Sequence, residues 1–252
     1  MAKEKVYFVA DLHLGSDTLE HPKTTEKRFI RWLDTVRDEA RAIYLLGDIF
    51  DFWFEYKKTV PRGFTRFLGK IAEMQDAGTE IHFFTGNHDV WMFNYFQQEL
   101  GVRVHTKPLQ TIIDGKVFYL AHGDGLGDDS RAFHLIRSIF HNRTCQFLFA
   151  RVPSRWGIGF AHWWSRHNRE KDLACSAGYM GEAKEHLVLH SKKYIQEHPD
   201  TDYLIFGHRH ILLDLMLSRK SRMLIVGDWM RYFSYAVFDT NGLRLEQYNA
   251  DL

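Results

Sequence analysis

The stretch of sequence that decides the fold reads Val6-Tyr7-Phe8-Val9-Ala10-Asp11-Leu12-His13, an apolar run followed at once by a carboxylate and an imidazole. An uninterrupted apolar run of this length is typical of a strand that is buried on both faces. Similar runs recur along the chain, and each ends in a polar turn that contains glycine. These further predicted strands cover residues 43–46, 81–85, 117–121, 203–206 and 224–226.

Helix-length segments separate the first of these strands and cover residues 25–42, 63–77 and 90–99. Strands that alternate with helices predict an α/β sheet. Near the C-terminus, two short alternating segments at 234–239 and 243–248 flank Thr240-Asn241-Gly242, which is a strong hairpin signal. The chain is therefore expected to end in β structure.

The bulk composition is that of an ordinary globular protein, 45% hydrophobic and 26% charged. Lys and Arg number 33 against 32 Asp and Glu, so the net charge of +1 gives no reason to expect a nucleic-acid partner. The 2 cysteines predict free thiols in a reducing compartment. The N-terminus has no apolar signal core, and no apolar run approaches the ~20 residues that cross a bilayer. We therefore predict a cytoplasmic protein that is at most attached to a membrane surface.

One segment, at residues 130–170, differs in composition from the rest of the chain. We predict a single domain over residues 1–252, with this segment as a helical insertion within it. Arginine is the only permanently charged side chain between residues 130 and 169, and Pro153 predicts two helices, at about 130–151 and 155–168. An apolar face flanked by arginines fits a ligand with acyl chains and a diphosphate, or an anionic membrane surface. The alternative is that the aromatic residues only pack the insertion onto the core. These aromatic residues are Phe133, Phe140, Phe147, Phe149, Trp156, Phe160, Trp163 and Trp164.

Candidate metal ligands follow the predicted strands, where an open α/β sheet places its ligand crevice. Imidazole mixed with carboxylate oxygen suits Mn, Fe or Zn better than Mg or Ca. The set is too large for one ion, whereas two ions about 3.5–4 Å apart, bridged by one carboxylate, would use it fully and hold a nucleophilic hydroxide. Glycines before several ligands permit tight turns that aim the next side chain inward. The candidate ligands are Asp11, His13, Asp48, Asn87, His122, His208 and His210, and the glycines are Gly47, Gly86, Gly123 and Gly207.

The order of these blocks, DxH, GDxxD, GNHD, H and GHxH, resembles the calcineurin-like metallophosphoesterase superfamily. The resemblance implies a β-sandwich flanked by helices, in αββα layers, with two divalent transition-metal ions, Mn²⁺ being the first choice. It also implies that Asp48 bridges the ions and that His88, oriented by Asp51, is the acid or transition-state donor. One ion would take Asp11, His13, Asp48 and His210, and the other Asp48, Asn87, His122 and His208.

A closer similarity is to the UDP-2,3-diacylglucosamine pyrophosphatase family of lipid A synthesis. It is carried by residues 10–14 and 47–53, by His122-Gly123-Asp124, by Asp128-Asp129 and by Gly227-Asp228-Trp229. It implies hydrolysis of the lipid-linked UDP-sugar to UMP and 2,3-diacylglucosamine 1-phosphate, on the cytoplasmic face of the inner membrane of a Gram-negative bacterium. The insertion would cap the site, hold the acyl chains and meet the membrane. The substrate contacts expected on this basis are Asn87, His88, Asp129, Phe133, Arg166, Asn168 and Lys171.

Other functions stay open at this point. The best-known members of that family carry Arg where this chain has His88, so GNHD looks like the wider superfamily and favours a metal-dependent phosphatase or phosphodiesterase acting on a soluble substrate. A non-catalytic scaffold is a third possibility, although degenerate scaffolds lose ligands and this chain keeps them. A nuclease is disfavoured because no basic tract lies outside the insertion.

Overall fold

A computed structural model describes residues 3–127, 135, 137–140, 142–153, 156–157, 159 and 178–249. The strands are β1 (Lys5–Val9), β2 (Ala40–Leu45), β3 (Glu80–Phe84), β4 (Arg103–His105), β5 (Leu109–Ile113), β6 (Lys116–Leu120), β7 (Tyr203–Phe206), β8 (Leu212–Met216), β9 (Arg222–Val226), β10 (Ser234–Asp239) and β11 (Gly242–Gln247). The helices with described bounds are α1 (Pro22–Val36), α2 (Thr65–Asp76), α3 (Tyr95–Leu100), α4 (Arg143–Phe149) and α5 (His186–Glu197).

The strands form two sheets rather than the single sheet that periodicity alone indicated. One sheet has the order β11-β10-β1-β2-β3-β4, and the other has the order β5-β6-β7-β9-β8. Strands β1 to β4 run parallel, as do β6, β7 and β9, while β5, β8, β10 and β11 pair antiparallel at the sides. The carboxyl ends of the parallel strands therefore lie along one edge of each sheet.

Alternation along β1 explains how the sheets pack. Val6 and Phe8 face the second sheet, where Phe8 stacks on Phe118 with ring centroids 5.6 Å apart. Tyr7 and Val9 point the other way and join the core formed with α1 and α2. Because both faces of β1 are covered, its sequence is apolar without interruption.

The outer layers complete the predicted αββα architecture. Helices α1 and α2 cover the first sheet with a buried stripe that includes Phe29, Trp32 and Phe67. Helix α5 covers the second sheet through Leu187 and Val188. A β-sandwich flanked by helices, which the superfamily resemblance implied, is thus confirmed.

Two helices are shorter than the sequence indicated. The segment predicted as helix at 25–42 ends at Val36, and β2 already begins at Ala40. The predicted helix at 90–99 begins only at Tyr95, because Glu55 fixes the preceding residues. Its buried carboxylate accepts the backbone N–H groups of Phe93, Asn94 and Tyr95 at 2.8, 2.7 and 3.1 Å.

The first part of the insertion is not one helix, contrary to the prediction for residues 130–151. Asn142 is extended, with φ −74° and ψ 121°, and its side-chain oxygen accepts the N–H groups of Thr144 and Cys145. An asparagine in this role caps the start of a helix, so α4 begins anew at Arg143. Most of the second predicted helix, 155–168, lies outside the described residues.

Candidate metal centre

The predicted ligands from both sheets meet at the carboxyl edge of the sandwich. Three groups of side chains bring one ligand atom each to within 4.8 Å of one another. Their members follow β1, β2, β3, β6 and β7, as the sequence analysis expected. The groups are Asp11 with His13 and His210, Asp48 with His122 and His208, and His13 with Asp51 and His88.

Asp48 lies between the first two groups. Its Oδ2 atom is 3.9 Å from Nε2 of His13 on one side and 3.3 Å from Nε2 of His122 on the other. The Oδ1 atom of Asn87 is also 3.3 Å from Nε2 of His122. Two atoms that bind one ion at about 2.0–2.2 Å can be at most about 4.4 Å apart, so these separations suit shared ions. The geometry therefore suits Asp48 as a bridging ligand.

Asp11 provides the clearest sign that a cation belongs here. Its Oδ1 atom is buried and has no hydrogen-bond partner among the described residues, yet it lies 3.8 Å from Nε2 of both His13 and His210. A buried carboxylate oxygen without a partner is costly, and a positive ion would remove that cost. The residues present therefore fit a divalent metal.

Backbone donors orient each of the two central carboxylates. The Oδ2 atom of Asp11 accepts the N–H of His208 at 2.7 Å, and Oδ1 of Asp48 accepts the N–H of His88 at 2.8 Å. In each case one oxygen is held by the main chain and the other faces the candidate ligands. The loops that carry the ligands are thereby tied to one another.

The ligands themselves adopt the strained backbone that the sequence analysis assigned to glycines. Left-handed conformations of non-glycine residues cost about 1–3 kcal/mol each and persist where the surrounding structure enforces them. Their concentration at one edge indicates a functional site. The φ angles are 55° for Asp11, 45° for His13, 51° for Asp48, 67° for His208 and 49° for His210.

The glycines contribute in two different ways. Gly47 and Gly123 have positive φ angles of 89° and 121°, as the tight turns require. Gly86 and Gly207 instead allow close approach, because an added Cβ atom would lie 2.2 Å from Asp48 Oδ1 or 2.8 Å from Asp11 Oδ2. The expectation that all four serve tight turns is therefore only partly right.

Burial and neighbouring side chains shift the pKa values of several candidate ligands. Burial raises the pKa of Asp11 to about 6. Burial would also raise the pKa of Asp48, but His122, His88 and His13 outweigh it and hold that pKa well below its usual range. Burial and the nearby His122 keep the pKa of His208 well below its usual value. Asp48 is thus an anion and His208 a neutral imidazole, which are the forms that bind metals.

His88 lies beside the ligands with one nitrogen engaged by the protein. Its Nδ1 atom is 3.0 Å from the main-chain oxygen of Asp51, so Nδ1–H donates there. The carboxylate of Asp51 lies 3.9 Å from Nδ1 of His88 and 3.7 Å from Nδ1 of His13. Asp51 therefore contacts both imidazoles, mainly through its carbonyl in the case of His88.

Asp89 is a site residue to which the sequence analysis gave no role. Its buried carboxylate accepts the N–H groups of Gly86 at 2.7 Å, Ile49 at 2.8 Å and Phe50 at 3.3 Å. It thus joins the loop after β2 to the loop after β3, which carry Asp48 and Asn87. Its position as the last residue of GNHD was the available signal.

Asp228 is the second residue without a predicted role. Its Oδ2 atom lies 3.3 Å from Nδ1 of His210, and its Oδ1 atom accepts the N–H groups of Met230, Arg231 and Tyr232. A carboxylate behind a ligating histidine fixes the ring and its tautomer. Asp228 therefore orients His210 toward Asp11.

We expect Asp228→Asn to weaken Mn²⁺ binding by about 10–100-fold, the range typical of such supporting residues. An amide has a single acceptor oxygen, which would stay with the backbone N–H groups and turn the NH₂ group toward His210. Calorimetric titration with Mn²⁺ measures the effect, and Asp200→Asn, at a carboxylate whose side chain is 94% exposed, is the control. Equal affinity of the two variants would contradict this role.

Five of the predicted substrate contacts belong to the insertion and its flanking residues. They lie outside the described residues and are Asp129, Phe133, Arg166, Asn168 and Lys171.

Comparison with known proteins agrees with the geometry. The family model described as calcineurin-like phosphoesterase matches residues 4–212. A UDP-2,3-diacylglucosamine hydrolase from Porphyromonas gingivalis is 46% identical, with 97% of each chain covered. A protein of the same name from Neisseria meningitidis is 29% identical, with 96% of this chain and 98% of the relative covered.

Solved structures give weaker matches. The phosphoesterase Yfce from E. coli aligns with 98% of this chain and 95% of its own, at 14% identity and a TM-score of 0.46. Vacuolar Protein Sorting 29 from Cryptosporidium parvum aligns with 99% of this chain and 93% of its own, at 13% identity and a TM-score of 0.49. The assignment rests on the sequence matches, which cover nearly the whole chain at up to 46% identity. The chain belongs to the calcineurin-like phosphoesterases and, among them, to the UDP-2,3-diacylglucosamine hydrolase family.

Proposed function

We propose that this chain hydrolyses the pyrophosphate bond of UDP-2,3-diacylglucosamine and releases UMP and 2,3-diacylglucosamine 1-phosphate, a step of lipid A synthesis. The observation that carries the proposal is the pair of ligand groups joined through Asp48. The 46% identity with a relative of that name supports the choice of substrate. A scaffold without activity would have no need of a complete, strained ligand set.

Two Mn²⁺ ions are the proposed cofactors. Bound ions would neutralise phosphoryl charge and lower the pKa of water toward ~7, so that it attacks the nucleotide-side phosphorus. Asp48 is the proposed bridge, and its low pKa keeps it an anion at neutral pH. The residues proposed to hold one ion are Asp11, His13, Asp48 and His210, and those for the other are Asp48, Asn87, His122 and His208.

His88 is the proposed donor to a phosphoryl or departing oxygen. Its Nδ1–H is held by the carbonyl of Asp51, which fixes the orientation of the ring beside the metal ligands, and its side chain is 14% exposed. Its backbone N–H meanwhile fixes the carboxylate of Asp48. Asp51 acts as a positioning residue, and Asn87 and His88 are the proposed substrate contacts on the body of the protein.

The insertion at 130–170 is proposed to cap the site within a single domain. Phe140 and Phe149 pack with Phe54 and Trp91 into an aromatic cluster, and Nε1 of Trp91 donates to the carbonyl of Phe140 at 2.7 Å. This cluster joins the insertion to the segment that follows His88. A substrate whose acyl chains lie beside this cluster would present its diphosphate to the metal centre.

We also propose that the insertion meets the inner membrane from its cytoplasmic face. No helix in the described part of the chain is long and apolar enough to span a bilayer. Several large apolar side chains of the insertion are nevertheless exposed, and arginines flank them, which suits an anionic lipid surface. The exposed side chains are Leu135, Ile139, Phe147, Leu148, Val152 and Trp156.

Acylated and deacylated UDP-glucosamine, presented side by side in Mn²⁺ buffer, test the proposal. We expect release of UMP from the acylated substrate and a kcat/KM at least about 100-fold lower for the deacylated analogue, because acyl binding energy is lost. An aryl phosphodiester reports on the metal centre alone. Good turnover of that ester with no turnover of the acylated substrate would favour a phosphodiesterase acting on a soluble substrate.

A further inference from the structure

A cavity of about 120 Å³ opens beside the candidate metal centre, where the two sheets meet at their carboxyl edge. Its walls come from the residues after β3, β4 and β6 and from one residue of the insertion. Gly86 and His122 belong to both the cavity and the metal centre, so the cavity adjoins the metal centre. Besides His122, the polar and charged residues around it are Thr85, His105, Thr106, Lys107, Asp124 and Arg137.

The charged side chains of this cavity make it a poor site for an acyl chain, although Phe84, Val90 and Leu126 add apolar surface to its walls. Lys107 and Arg137 bring positive charge to its walls, and Arg137 lies 3.4 Å from Asp124. The hydroxyl groups of Thr85 and Thr106 can donate and accept hydrogen bonds. Such a lining matches a polar ring that carries carbonyl and N–H groups, attached to a phosphate.

The size of the cavity narrows the class of ring. An apolar cavity of about 150 Å³ holds a benzene molecule, so a space of this order takes one six-membered ring. A fused purine ring system is larger and would extend beyond this space. The volume of about 120 Å³ therefore favours a pyrimidine.

We propose that this cavity binds the pyrimidine base of a nucleoside monophosphate, with the phosphate at the group formed by Asp48, His122 and His208. The inference rests on the proposed function and extends it, because it assigns the nucleotide half of the substrate to one side of the metal centre. The acylated sugar then extends toward the aromatic cluster around Trp91. Selectivity for the base is set by the residues after β3 and β4.

Calorimetric titration of the Mn²⁺-loaded protein with UMP, AMP and inorganic phosphate tests the inference without any turnover. We expect UMP to bind at least tenfold more tightly than either AMP or phosphate. A preference for UMP below tenfold against either probe would overturn the inference, because phosphate recognition alone would then explain binding.

A pair of matched variants localises the site. Thr106→Trp places a large side chain at an exposed position of the cavity wall, and we expect it to remove the preference for UMP over phosphate. Thr240→Trp is the control, because it lies in the exposed β10–β11 turn at the opposite end of β1, where Val6 pairs with Phe238, and should keep the preference. Retention of the preference for UMP by Thr106→Trp would overturn the inference. Binding of glucosamine 1-phosphate, a probe for the sugar half of the substrate, is measured with the same variant. A larger loss of affinity for glucosamine 1-phosphate than for UMP would also overturn the inference.

These binding results separate the inference from the proposed function. Preferential UMP binding without cleavage of the acylated UDP-sugar would contradict the proposed function and leave the base site standing. Cleavage of that substrate together with equal binding of UMP and AMP would contradict the base site alone.

Discussion

Asp48→Ala lowers kcat by about three orders of magnitude or more on every phosphoester substrate. Asp48 lies within 4 Å of candidate ligands on both sides, so its loss separates the two groups. Metal ions supply several kcal/mol of stabilisation to a phosphoryl-transfer transition state, and each 1.36 kcal/mol changes a rate tenfold. Metal analysis of the same variant is expected to show fewer bound ions than in the unaltered protein.

Asp48→Asn separates the charge of this residue from its shape. Asparagine tolerates the φ of 51° and can still accept the N–H of His88, so folding should be preserved. We expect it to lose activity nearly as fully as the alanine variant, whereas Asp200→Asn keeps normal kcat. Near-normal turnover by either Asp48 variant would refute the proposed ligand set.

His88→Ala lowers kcat by about 100- to 1,000-fold while the metal content stays unchanged. Loss of one positioned donor has costs of this size in other enzymes, and the His88 side chain is assigned to the substrate rather than to an ion. Parallel measurements of kcat and of bound Mn²⁺ separate this result from the Asp48 result. A fall in metal content that accounts for the lost activity would contradict the role proposed for His88.

His88→Arg is the matched substitution. A guanidinium also donates hydrogen bonds to phosphoryl oxygens, so Arg can take over the donor role proposed for the imidazole. We therefore expect His88→Arg to retain at least tenfold more activity than His88→Ala on the acylated UDP-sugar. Equal activity of the two variants would mean that the donor is not needed.

The central strands could be predicted from sequence because burial on both faces leaves an uninterrupted apolar run, as in β1. The edge strands could not be predicted in this way. Strand β5 alternates between exposed residues and residues that are buried or partly buried, and β8 is interrupted by the exposed Asp214, so neither produces such a run. Periodicity alone did not show the division into two sheets, since β6 pairs with β7 through residues 85 positions apart in sequence, such as Tyr119 with Leu204.

The candidate ligands were predictable because each follows a strand directly, and parallel strands bring their carboxyl ends to one edge. The supporting residues were not predictable in the same way. Asp228 orients a histidine that lies on a different loop, and Asp89 joins two loops whose proximity only the folded chain creates. Such roles depend on distances that sequence spacing does not contain.

Hydrolysis of UDP-2,3-diacylglucosamine in ¹⁸O-labelled water, followed by mass spectrometry of both products, tests the central claim most directly. Attack of water on the nucleotide-side phosphorus predicts that the Mn²⁺-loaded protein places ¹⁸O in UMP and none in 2,3-diacylglucosamine 1-phosphate. Label in the sugar phosphate, or no cleavage of this substrate by protein that cleaves an aryl phosphodiester well, would contradict the account.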